Sequence, residues 1–457
     1  MTNLVVNSEY ACASNADGII GRFSDSSSEN DFARQFLRDL FEEAIQFAKP
    51  SSFMGEFINK HFPENPKGNI IVVGAGKAAA SMAAAFEIAA VERGWADKIS
   101  GVVVTRYGYE VPTSKIKVLK ANHPVPDQAS VIAGETILSE LKTVGPDDLV
   151  ISLVSGGGSA LLCAPASGVS LADKQQLNKV LLNSGAPIHA MNCIRKHVSK
   201  IKGGRLARSA MPARVVSLLM SDIPGDDVSS IASGPTVSDE TTLEMARNFV
   251  AKYKMDLPAS IMEALNDPRN ETPKKDDRCF KNAQNHLVMT PGMVLQKVME
   301  TIKKAGFEIL YLGDDLEGEA SELGKAHAEL ALEAARSHRK VCILSGGETT
   351  VTMKGKGRGG RNTEYLLSVA LHLNGEPGIY ALAGDTDGVD GSEDNAGAII
   401  DPTTIKRAQN AGLNLNLHLD RNDSYSAFEA LNDLVVTGPT MTNVNDFRAI
   451  LVFAHDV

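Results

Sequence analysis

The sequence predicts an α/β protein of two domains, and three features lead to this prediction. The chain has 457 residues, more than one hydrophobic core usually organises. Runs of four to seven branched apolar residues, such as 70–73 and 149–154, alternate with segments of helical periodicity, which is typical of parallel strands covered by helices. Glycine-rich turns follow three of these strands. We therefore expect a doubly wound, Rossmann-like N-terminal domain and a second α/β domain.

Composition changes along the chain suggest where these domains begin. Residues 1–30 are rich in serine and asparagine and predict a flexible N-terminal extension. Residues 31–240 carry the first strand and helix series, and residues 241–457 form the predicted second domain, in which the alternation resumes at NHLVMT. Its strands are expected near 308–312, 341–344, 349–353 and 379–383. The last apolar segment, AILVF, could return to either domain.

Charge and composition argue against several classes of protein. The net charge of −10 disfavours nucleic acid or an anionic membrane surface as the main partner. No apolar run reaches the roughly 18 residues of a membrane span, and the N-terminus lacks a basic-then-apolar signal. The five cysteines are scattered without a CxxC, so a cytoplasmic location is expected. The oligomeric state stays open, with a homodimer as one option.

The stretch LVSGGGSALL, residues 153–162, predicts an anion-binding turn. Glycines after a strand let backbone N–H groups approach a phosphate or carboxylate, and a helix that begins there adds its positive end. A second stretch, VCILSGGETTVT, repeats the Ser-Gly-Gly sequence. The predicted nucleotide or phosphate contacts are Ser155, Gly156, Gly157, Gly158, Ser159, Gly346 and Gly347. A tight turn that merely requires glycine is the alternative.

A third glycine turn, VVGAGKAAA, fits the relaxed dinucleotide pattern GxGxxA. The acidic residue expected after the next strand is missing, because Thr105 and Arg106 stand there. Lys77 lies where a helix begins, and its charge opposes the helix dipole unless an anion binds nearby. Lys77 is therefore a candidate phosphate-binding cation, with an exposed surface lysine as the alternative.

The stretch MKGKGRGGRN, residues 353–362, interleaves cations with glycines. A flexible loop of this composition can wrap around phosphates, and arginine can bind their oxygens in a bidentate manner. Lys354, Lys356, Arg358 and Arg361 are the candidate cations. A solvated hairpin loop is the alternative.

Aspartates follow two of the predicted strands. Asp222 comes after RVVSLLMS, and Asp385 and Asp387 lie in ALAGDTDGVDGSEDNAGA. The second stretch fails the EF-hand pattern, because Val389 and Ala396 stand at ligand positions. A Mg²⁺ site that combines one or two carboxylates with substrate phosphates fits better. Each aspartate could instead form a turn.

The stretch MNCIRKHVSKIKGGRLA, residues 191–207, predicts one basic helix that ends at Gly203 and Gly204. Its cations Arg195, Lys196 and Lys200 could face a cleft, although a solvated helix face is the more common situation. His123, in the proline-rich loop NHPVPD, could either contact a substrate or stabilise the loop.

Taken together, these motifs resemble the class II glycerate kinases, also called the glycerate 2-kinase or MOFRL family. The resemblance covers residues 31 to the C-terminus and includes GAGKAA, HPVPD, SGGGSALL, SDIPGDDVSSIASGPT, MKGKGRGGRN and TGPTMTNVND. It implies ATP-dependent phosphorylation of D-glycerate to 2-phosphoglycerate with Mg²⁺, in a cleft between a Rossmann-like domain and a MOFRL domain. It also implies a catalytic lysine at Lys77 and a catalytic arginine at Arg358 or Arg361, of which we prefer Arg361.

The remaining roles are expected from the chemistry of phosphoryl transfer, which needs positioning and charge neutralisation. One carboxylate among Asp222, Asp385 and Asp387 is expected to orient the attacking hydroxyl, and another to help hold Mg²⁺. Asp222 is the candidate for the first role, and Asp385 and Asp387 are the candidates for the second. The identity of the base and the nucleotide preference stay open.

Two other functions compete with this prediction. An NAD(P)H-dependent hydroxypyruvate reductase, a label often given to members of this family, would need the ribose-binding acid that is missing here. A non-catalytic sugar-phosphate-binding module would need neither the basic loop nor the aspartates. Acyl transfer is disfavoured because SGGGS does not match GxSxG.

Overall fold

The computed structural model describes residues 4–6 and 29–454. The flexible extension expected for residues 1–30 lies outside these residues, except for a three-residue strand and the first two residues of a helix. The strands are β1 Leu4–Val6, β2 Ile70–Ala75, β3 Ile99–Arg106, β4 Ile116–Ala121, β5 Leu149–Val154, β6 Arg214–Met220, β7 Ala283–Met289, β8 Glu308–Leu316, β9 Val341–Gly347, β10 Ile379–Asp385, β11 Gly397–Ile400, β12 Leu434–Val435 and β13 Asp446–Val452.

The α-helices of the described residues vary widely in length. They are α1 Glu29–Ala48, α2 Met54–His61, α3 Ala79–Glu92, α4 Gln128–Glu140, α5 Gly158–Leu161, α6 Leu171–Asn183, α7 Ile188–His197, α8 Arg205–Ser209, α9 Leu243–Lys252, α10 Ala259–Asn266, α11 Pro291–Lys304, α12 Ala320–Arg336, α13 Arg361–Leu373, α14 Thr404–Asn410, α15 Leu415–Asp420 and α16 Ser424–Leu431. Among these, none is long and apolar enough to cross a lipid bilayer.

The first compact unit contains β1 and residues 50–222 and 226–288. Its seven-stranded sheet has the order β1-β7-β6-β5-β2-β3-β4, and β2 pairs in parallel with both β3 and β5. Every residue of β2 and β5 is buried, as expected for central strands covered on both faces. The chain passes from β2 to β3 and β4 on one side and then starts again at β5 on the other. The predicted Rossmann-like arrangement is confirmed, with its change of direction between β2 and β5.

This unit extends past the boundary expected near residue 240. Helices α9 and α10 share an apolar cluster with α6 and α7, and β7 joins the first sheet. The polar stretch NDPRNETPKKDDRC therefore connects α10 to β7 within one unit. The polar composition of this stretch suggested a linker between domains, because polar residues indicate exposure to solvent. A surface connection within one domain is exposed as well, so composition does not distinguish the two.

The second compact unit contains residues 29–49, 223–225 and 289–454 of the described chain. Helix α1 belongs here and not to the first unit, because the ring of Phe36 stacks on Phe307 at 6.0 Å and that of Phe41 lies 5.6 Å from Phe447. Aromatic packing of this kind buries a large apolar area.

The sheet of this unit is mixed. Its order is β12-β11-β10-β13-β9-β8, in which β8 and β9 are parallel and the other neighbours antiparallel. The segment AILVF lies in β13, in the middle of this sheet, so it joins the second unit. The strand expected at 349–353 does not form: β9 ends at Gly347, and Thr350 makes only an isolated bridge to Glu319.

Candidate functional site

In the first unit, the turns that follow β2 and β5 are bonded to each other. The N–H of Lys77 donates to the carbonyl of Gly156 at 2.8 Å, and the N–H of Ala78 donates to Oγ of Ser155 at 3.0 Å. Both turns lie at the carboxyl ends of the two strands where the sheet changes direction, which is the usual ligand site of such sheets.

Close approach explains why glycine stands in these turns. Gly157 has a φ of +76°, and a Cβ there would lie 3.1 Å from Cδ2 and 3.2 Å from Nε2 of His123, and 3.4 Å from Cγ of Lys77. A Cβ on Gly76 would lie 2.1 Å from Oγ of Ser155. The side chains of Lys77 and His123 thus lie together beside the Gly157 backbone. This arrangement supports the anion-binding prediction for this turn, because it combines a cation, an imidazole and an accessible main chain.

The two serines of the turn have different surroundings. Ser155 is fully buried, and its hydroxyl holds the Lys77–Ala78 turn. Ser159 is partly exposed, and its Oγ lies 2.9 Å from Oγ of Ser233, a residue that sequence reasoning missed. Ser159 therefore suits contact with a ligand better than Ser155 does.

The end of β3 shows what replaces the ribose-binding acid. Oγ1 of Thr105 donates to the carbonyl of Lys77 at 3.1 Å. Thr105 is fully buried, so its hydrogen bond stabilises the Lys77 turn from the protein interior.

Asp222 follows β6 after one intervening residue and is partly exposed. Strands β5 and β6 are parallel neighbours, with Val154 opposite Leu219. The sheet thus places Asp222 and the Gly157 turn at the same edge, at the ends of adjacent strands.

The predicted basic helix of residues 191–207 is wrong. Helix α7 ends at His197, and α8 begins only at Arg205. Lys196 is buried and pairs with Asp239, its Nζ 3.2 Å from Oδ1, so it faces neither a cleft nor solvent. Only Lys200 of the three candidate cations is exposed.

In the second unit, Arg361 is surrounded by carboxylates. Its Nε lies 2.9 Å from both oxygens of Asp446, its Nη2 2.7 Å from Oδ2 of Asp385, and its Nη1 3.4 Å from Oε1 of Glu348. Burial lowers the pKa of Arg361, but the charges of Asp446 and Asp385 outweigh burial and hold the pKa above its usual value. Arg361 is therefore a permanently charged and fixed guanidinium.

Sequence reasoning missed Asp446 and Arg448, although it noted the stretch TNVND. In the antiparallel pairing of β10 with β13, Asp385 lies opposite Asp446, so strand register brings the two carboxylates together. Arg448 is 1% exposed. Its Nη2 donates to Oδ2 of Asp446 at 2.5 Å, and its Nη1 donates to the carbonyl of Gly346 at 2.8 Å. Only knowledge of this register could have identified the pair.

The aspartates at the end of β10 and in the loop that follows it are buried and hold this loop in place. Asp385 Oδ1 accepts the N–H of Asp387 at 3.0 Å, and Asp387 Oδ1 accepts the N–H of Val389 at 2.9 Å. Asp390 accepts the N–H groups of Asn362 and Thr363 at the start of α13. Within the described residues, no three His, Cys, Asp or Glu side chains are grouped to hold a metal. Two carboxylates suit Mg²⁺ when phosphate oxygens complete its shell.

The basic loop is held against the loop that follows α15. The N–H groups of Lys354 and Gly355 donate to Oδ1 of Asn422, and that of Arg358 donates to Oδ1 of Asp423. The side chains of Lys354, Lys356 and Arg358 are exposed. The backbone of the loop is thus anchored more firmly than its glycine content suggested, while the side chains of its two lysines are exposed to solvent.

Arg358 and Arg361 differ in their surroundings. The Nη2 of Arg358 lies 2.7 Å from Oε2 of Glu393, and its guanidinium lies 4.1 Å above the ring of Tyr425. Its side chain keeps 51% of its surface exposed, whereas that of Arg361 keeps 21%. Arg361 is consequently the better fixed of the two.

The second Ser-Gly-Gly turn has a packing reason for its glycines. Gly347 has a φ of +107°, and a Cβ there would lie 2.2 Å from the carbonyl of Leu316. A Cβ on Gly346 would lie 3.0 Å from Cδ1 of Leu295. No helix begins directly after this turn, unlike after Gly157. These observations favour the tight-turn alternative for Gly346 and Gly347, whose phosphate contact stays a prediction.

Comparison with known proteins yields two family matches and several full-length relatives. Residues 36–266 match the family described as "Domain of unknown function (DUF4147)", and residues 341–446 match the MOFRL family. A protein of Agrobacterium vitis, provisionally named a hydroxypyruvate reductase, is 50% identical over 427 residues, 92% of this chain and 94% of that protein. The D-glycerate 2-kinase of Thermotoga maritima is 37% identical over 422 residues, 91% of this chain and 98% of that protein.

The fold has a close counterpart among solved structures. The crystal structure of a glycerate kinase from Thermotoga maritima matches with a TM-score of 0.83 and 36% sequence identity, covering 92% of this chain and 99% of that chain. The similarity therefore extends through both compact units.

Proposed function

This chain belongs to the glycerate kinase family that joins a DUF4147 region to a MOFRL region, and we propose that it phosphorylates the 2-hydroxyl of D-glycerate with ATP. The product is 2-phosphoglycerate. The observation that carries this proposal is the similarity to the D-glycerate 2-kinase of Thermotoga maritima across 91% of the chain. The charges at the two candidate regions support it, because phosphoryl transfer depends on positioned cations and dipoles.

In the first unit, Lys77 has the role of neutralising phosphate charge. The N–H of Lys77 donates to the carbonyl of Gly156, and Cγ of Lys77 lies close to the backbone of Gly157. These two contacts fix the base of the Lys77 side chain beside a glycine-rich backbone. The N–H of Gly157 and the hydroxyl of Ser159 are the proposed anion donors, whereas the N–H of Gly158 already donates to the carbonyl of Ser155 at 3.2 Å. Ser155 is assigned to positioning, because its hydroxyl accepts the N–H of Ala78.

In the second unit, Arg361 has the role of binding phosphoryl oxygens. A partly exposed guanidinium with fixed carboxylate partners is preorganised, so little reorganisation accompanies charge development. Lys356 and Arg358 present exposed cations that suit the outer phosphates of a nucleotide.

Asp385 and Asp387 would hold Mg²⁺ together with phosphate oxygens, and their carboxylate chemistry fits this ion. The ion would supply positive charge to the phosphates. Asp222 is the proposed group that orients the attacking hydroxyl, since a carboxylate at the end of β6 is partly exposed beside the Gly157 turn.

The name of the Agrobacterium vitis relative suggests a hydroxypyruvate reductase as the second candidate function for this chain. NADH would need an acid at the end of β3 for its ribose, and Thr105 there is buried and bonded to Lys77. We therefore expect no oxidation of NADH with hydroxypyruvate.

The decisive experiment measures ADP release with each of several candidate substrates. The purified full chain is incubated with ATP, Mg²⁺ and D-glycerate, with L-glycerate, hydroxypyruvate and tartronate in parallel. The product is then passed to enolase with and without phosphoglycerate mutase. We expect ADP release with D-glycerate and direct conversion by enolase. A requirement for the mutase would overturn the position of phosphorylation, and NADH consumption without ADP release would overturn the kinase.

A further inference from the structure

The loop that follows β6 contains a segment of unusual backbone conformation. Its consecutive residues Ala232, Ser233 and Gly234 have φ values of +49°, +62° and +60°. Residues other than glycine rarely adopt such values, because their Cβ then lies too close to the main chain. Ala232 and Ser233 are therefore held in a strained conformation, and strain of this kind is concentrated at functional sites.

A second turn holds this segment in its conformation. The N–H of Gly203 donates to the carbonyl of Ser233 at 3.0 Å, and the N–H of Gly204 donates to the carbonyl of Gly234 at 2.8 Å. Gly203 and Gly204 themselves have φ values of +56° and +80°. The two glycines expected at the end of a basic helix thus fix the main chain of Ser233 instead.

The same stretch of chain also holds Ser159. The Nζ of Lys202 donates to the carbonyls of Ser159 at 2.6 Å and Leu162 at 3.0 Å, and Lys202 is only 3% exposed. Lys202 and Gly203 are neighbours in the sequence, so one stretch fixes the main chains of both serines. Their hydroxyls meet with Oγ of Ser159 2.9 Å from Oγ of Ser233.

The direction of this hydrogen bond follows from the burial of the two serines. Within the described residues, each hydroxyl has the other as its hydrogen-bond partner and no further one. Ser233 is 1% exposed, whereas Ser159 is partly exposed. If Ser159 donated, the proton of Ser233 would be buried without an acceptor, which folded proteins avoid. Ser233 therefore donates to Ser159, and the proton of Ser159 remains available to a ligand.

We propose that Ser233 is a positioning residue for phosphate binding at the Gly157 turn. Its hydroxyl donates to Oγ of Ser159, so that Ser159 donates its own proton to a phosphate oxygen. A hydroxyl that accepts one hydrogen bond is polarised and becomes a stronger donor in the next. The inference rests on the proposed function, in which Ser159 is an anion donor, and it adds a residue that acts through Ser159 without contacting the ligand.

The test removes the hydroxyl of Ser233 and keeps the backbone conformation. Ser233→Gly is the main variant, because glycine adopts a positive φ without strain. Ser233→Ala is the second variant, since the neighbouring Ala232 shows that alanine is accommodated in this conformation. Ala232→Gly is the matched control, because it changes the same strained segment and keeps both hydroxyls. Thermal unfolding of the full chain verifies that each variant folds.

The affinities for ATP and for 2-phosphoglycerate are measured by calorimetry, and kcat is measured by ADP release. We expect Ser159→Ala to weaken binding of one or both ligands about tenfold, the effect of one charge-assisted hydrogen bond. Both Ser233 variants should weaken the same binding roughly three- to tenfold, and Ala232→Gly should leave it unchanged. In a Ser159→Ala background, Ser233→Gly should cause no further loss of affinity, whereas a residue with a separate structural role would give an additive loss.

The outcomes separate this inference from the proposed kinase activity. Wild-type affinities in both Ser233 variants, or an additive loss in the double variant, would overturn the inference even if ADP is released with D-glycerate. Ligand binding that depends on Ser159 and Ser233 in this non-additive manner, without ADP release, would support the inference and overturn the kinase. A wild-type protein that binds neither ligand would overturn both.

Discussion

The Nε of Arg361 lies 2.9 Å from each carboxylate oxygen of Asp446. Asp446 is completely buried and also receives Arg448, so one carboxylate holds two guanidinium groups. Burial opposes the charge of Asp446, but Arg361 and Arg448 outweigh it and hold the pKa of that carboxyl below its usual range. Asp446 consequently fixes the orientation of the arginine that we propose for phosphoryl binding.

The first prediction compares the two arginines of the basic loop. Arg361→Lys should lower kcat by roughly 10²-fold, because lysine cannot reproduce a planar fork bonded on several sides. Arg358→Lys should stay within a few-fold of wild type, since Arg358 is half exposed and bonded to Glu393. Steady-state kinetics with ATP and D-glycerate measure both. Equal losses in the two variants would contradict the assignment.

The second prediction concerns stability. Asp446→Asn should lower the free energy of unfolding by about 3–5 kcal/mol, because the buried guanidinium of Arg448 loses its carboxylate partner. Urea unfolding followed by circular dichroism measures the change. Asp420→Asn is the matched control, because Asp420 is exposed and its loss should change stability little. A stable Asp446→Asn variant would show that the two arginines find other partners.

The third prediction concerns the pH dependence of that same contribution. The pKa of Asp446 in the folded protein is lower than the usual value of about 4, so the stabilisation is complete above about pH 4. It is lost as the pH falls through the lower folded value. The stability difference between wild type and Asp446→Asn should thus be constant from about pH 5 to 8 and shrink in stronger acid. A difference that already shrinks near neutrality would point to another titrating group.

The sequence predicts those parts of the fold that depend on contacts between residues close together in the chain, and it fails where the contacts join distant residues. The strands β2 and β5 and their turns follow from local patterns, because buried apolar runs and glycines carry their own signal. The placement of α1 in the second unit does not follow, since it results from the packing of Phe36 and Phe41 against distant rings. The placement of β7 in the first sheet does not follow either, because a polar connection separates β7 in the sequence from the other strands of that sheet.

The candidate site divides in a similar way. Lys77, Arg361 and Asp385 are recognisable from charge beside glycine or at strand ends. Asp446 and Arg448 are not, because their role depends on the antiparallel register of β10 and β13. The strand expected at 349–353 fails for a third reason: its β-branched residues follow Gly347, whose left-handed conformation ends β9.

The fourth prediction tests Lys77. Lys77→Ala should lower kcat by roughly 10²-fold or more, the effect of losing one preorganised donor. The fold should survive, because Lys77 is partly exposed and precedes α3. Lys117→Ala is the control, an exposed lysine of the same sheet with no proposed role. A near-normal kcat for Lys77→Ala, with ATP affinity unchanged, would remove the lysine from the mechanism.

The fifth prediction separates the roles of three aspartates. Asp222→Asn should lower kcat and leave the affinity for ATP unchanged, because the attacking hydroxyl loses its orienting group while the nucleotide contacts remain. The effect should be modest, since a loose phosphoryl transition state needs little help from a base. Asp387→Asn should be partly rescued by excess Mg²⁺, because a weakened metal site is filled by mass action.

Asp385→Asn should combine two defects, since Asp385 also receives the Nη2 of Arg361 at 2.7 Å. Excess Mg²⁺ should therefore rescue Asp385→Asn less than Asp387→Asn. Kinetics at several Mg²⁺ concentrations, with nucleotide binding measured separately, resolve the three variants. If all three remain within a few-fold of wild type, the carboxylates do not serve the reaction and their roles are structural. Rescue of Asp222→Asn by Mg²⁺ would instead move the metal site to the end of β6.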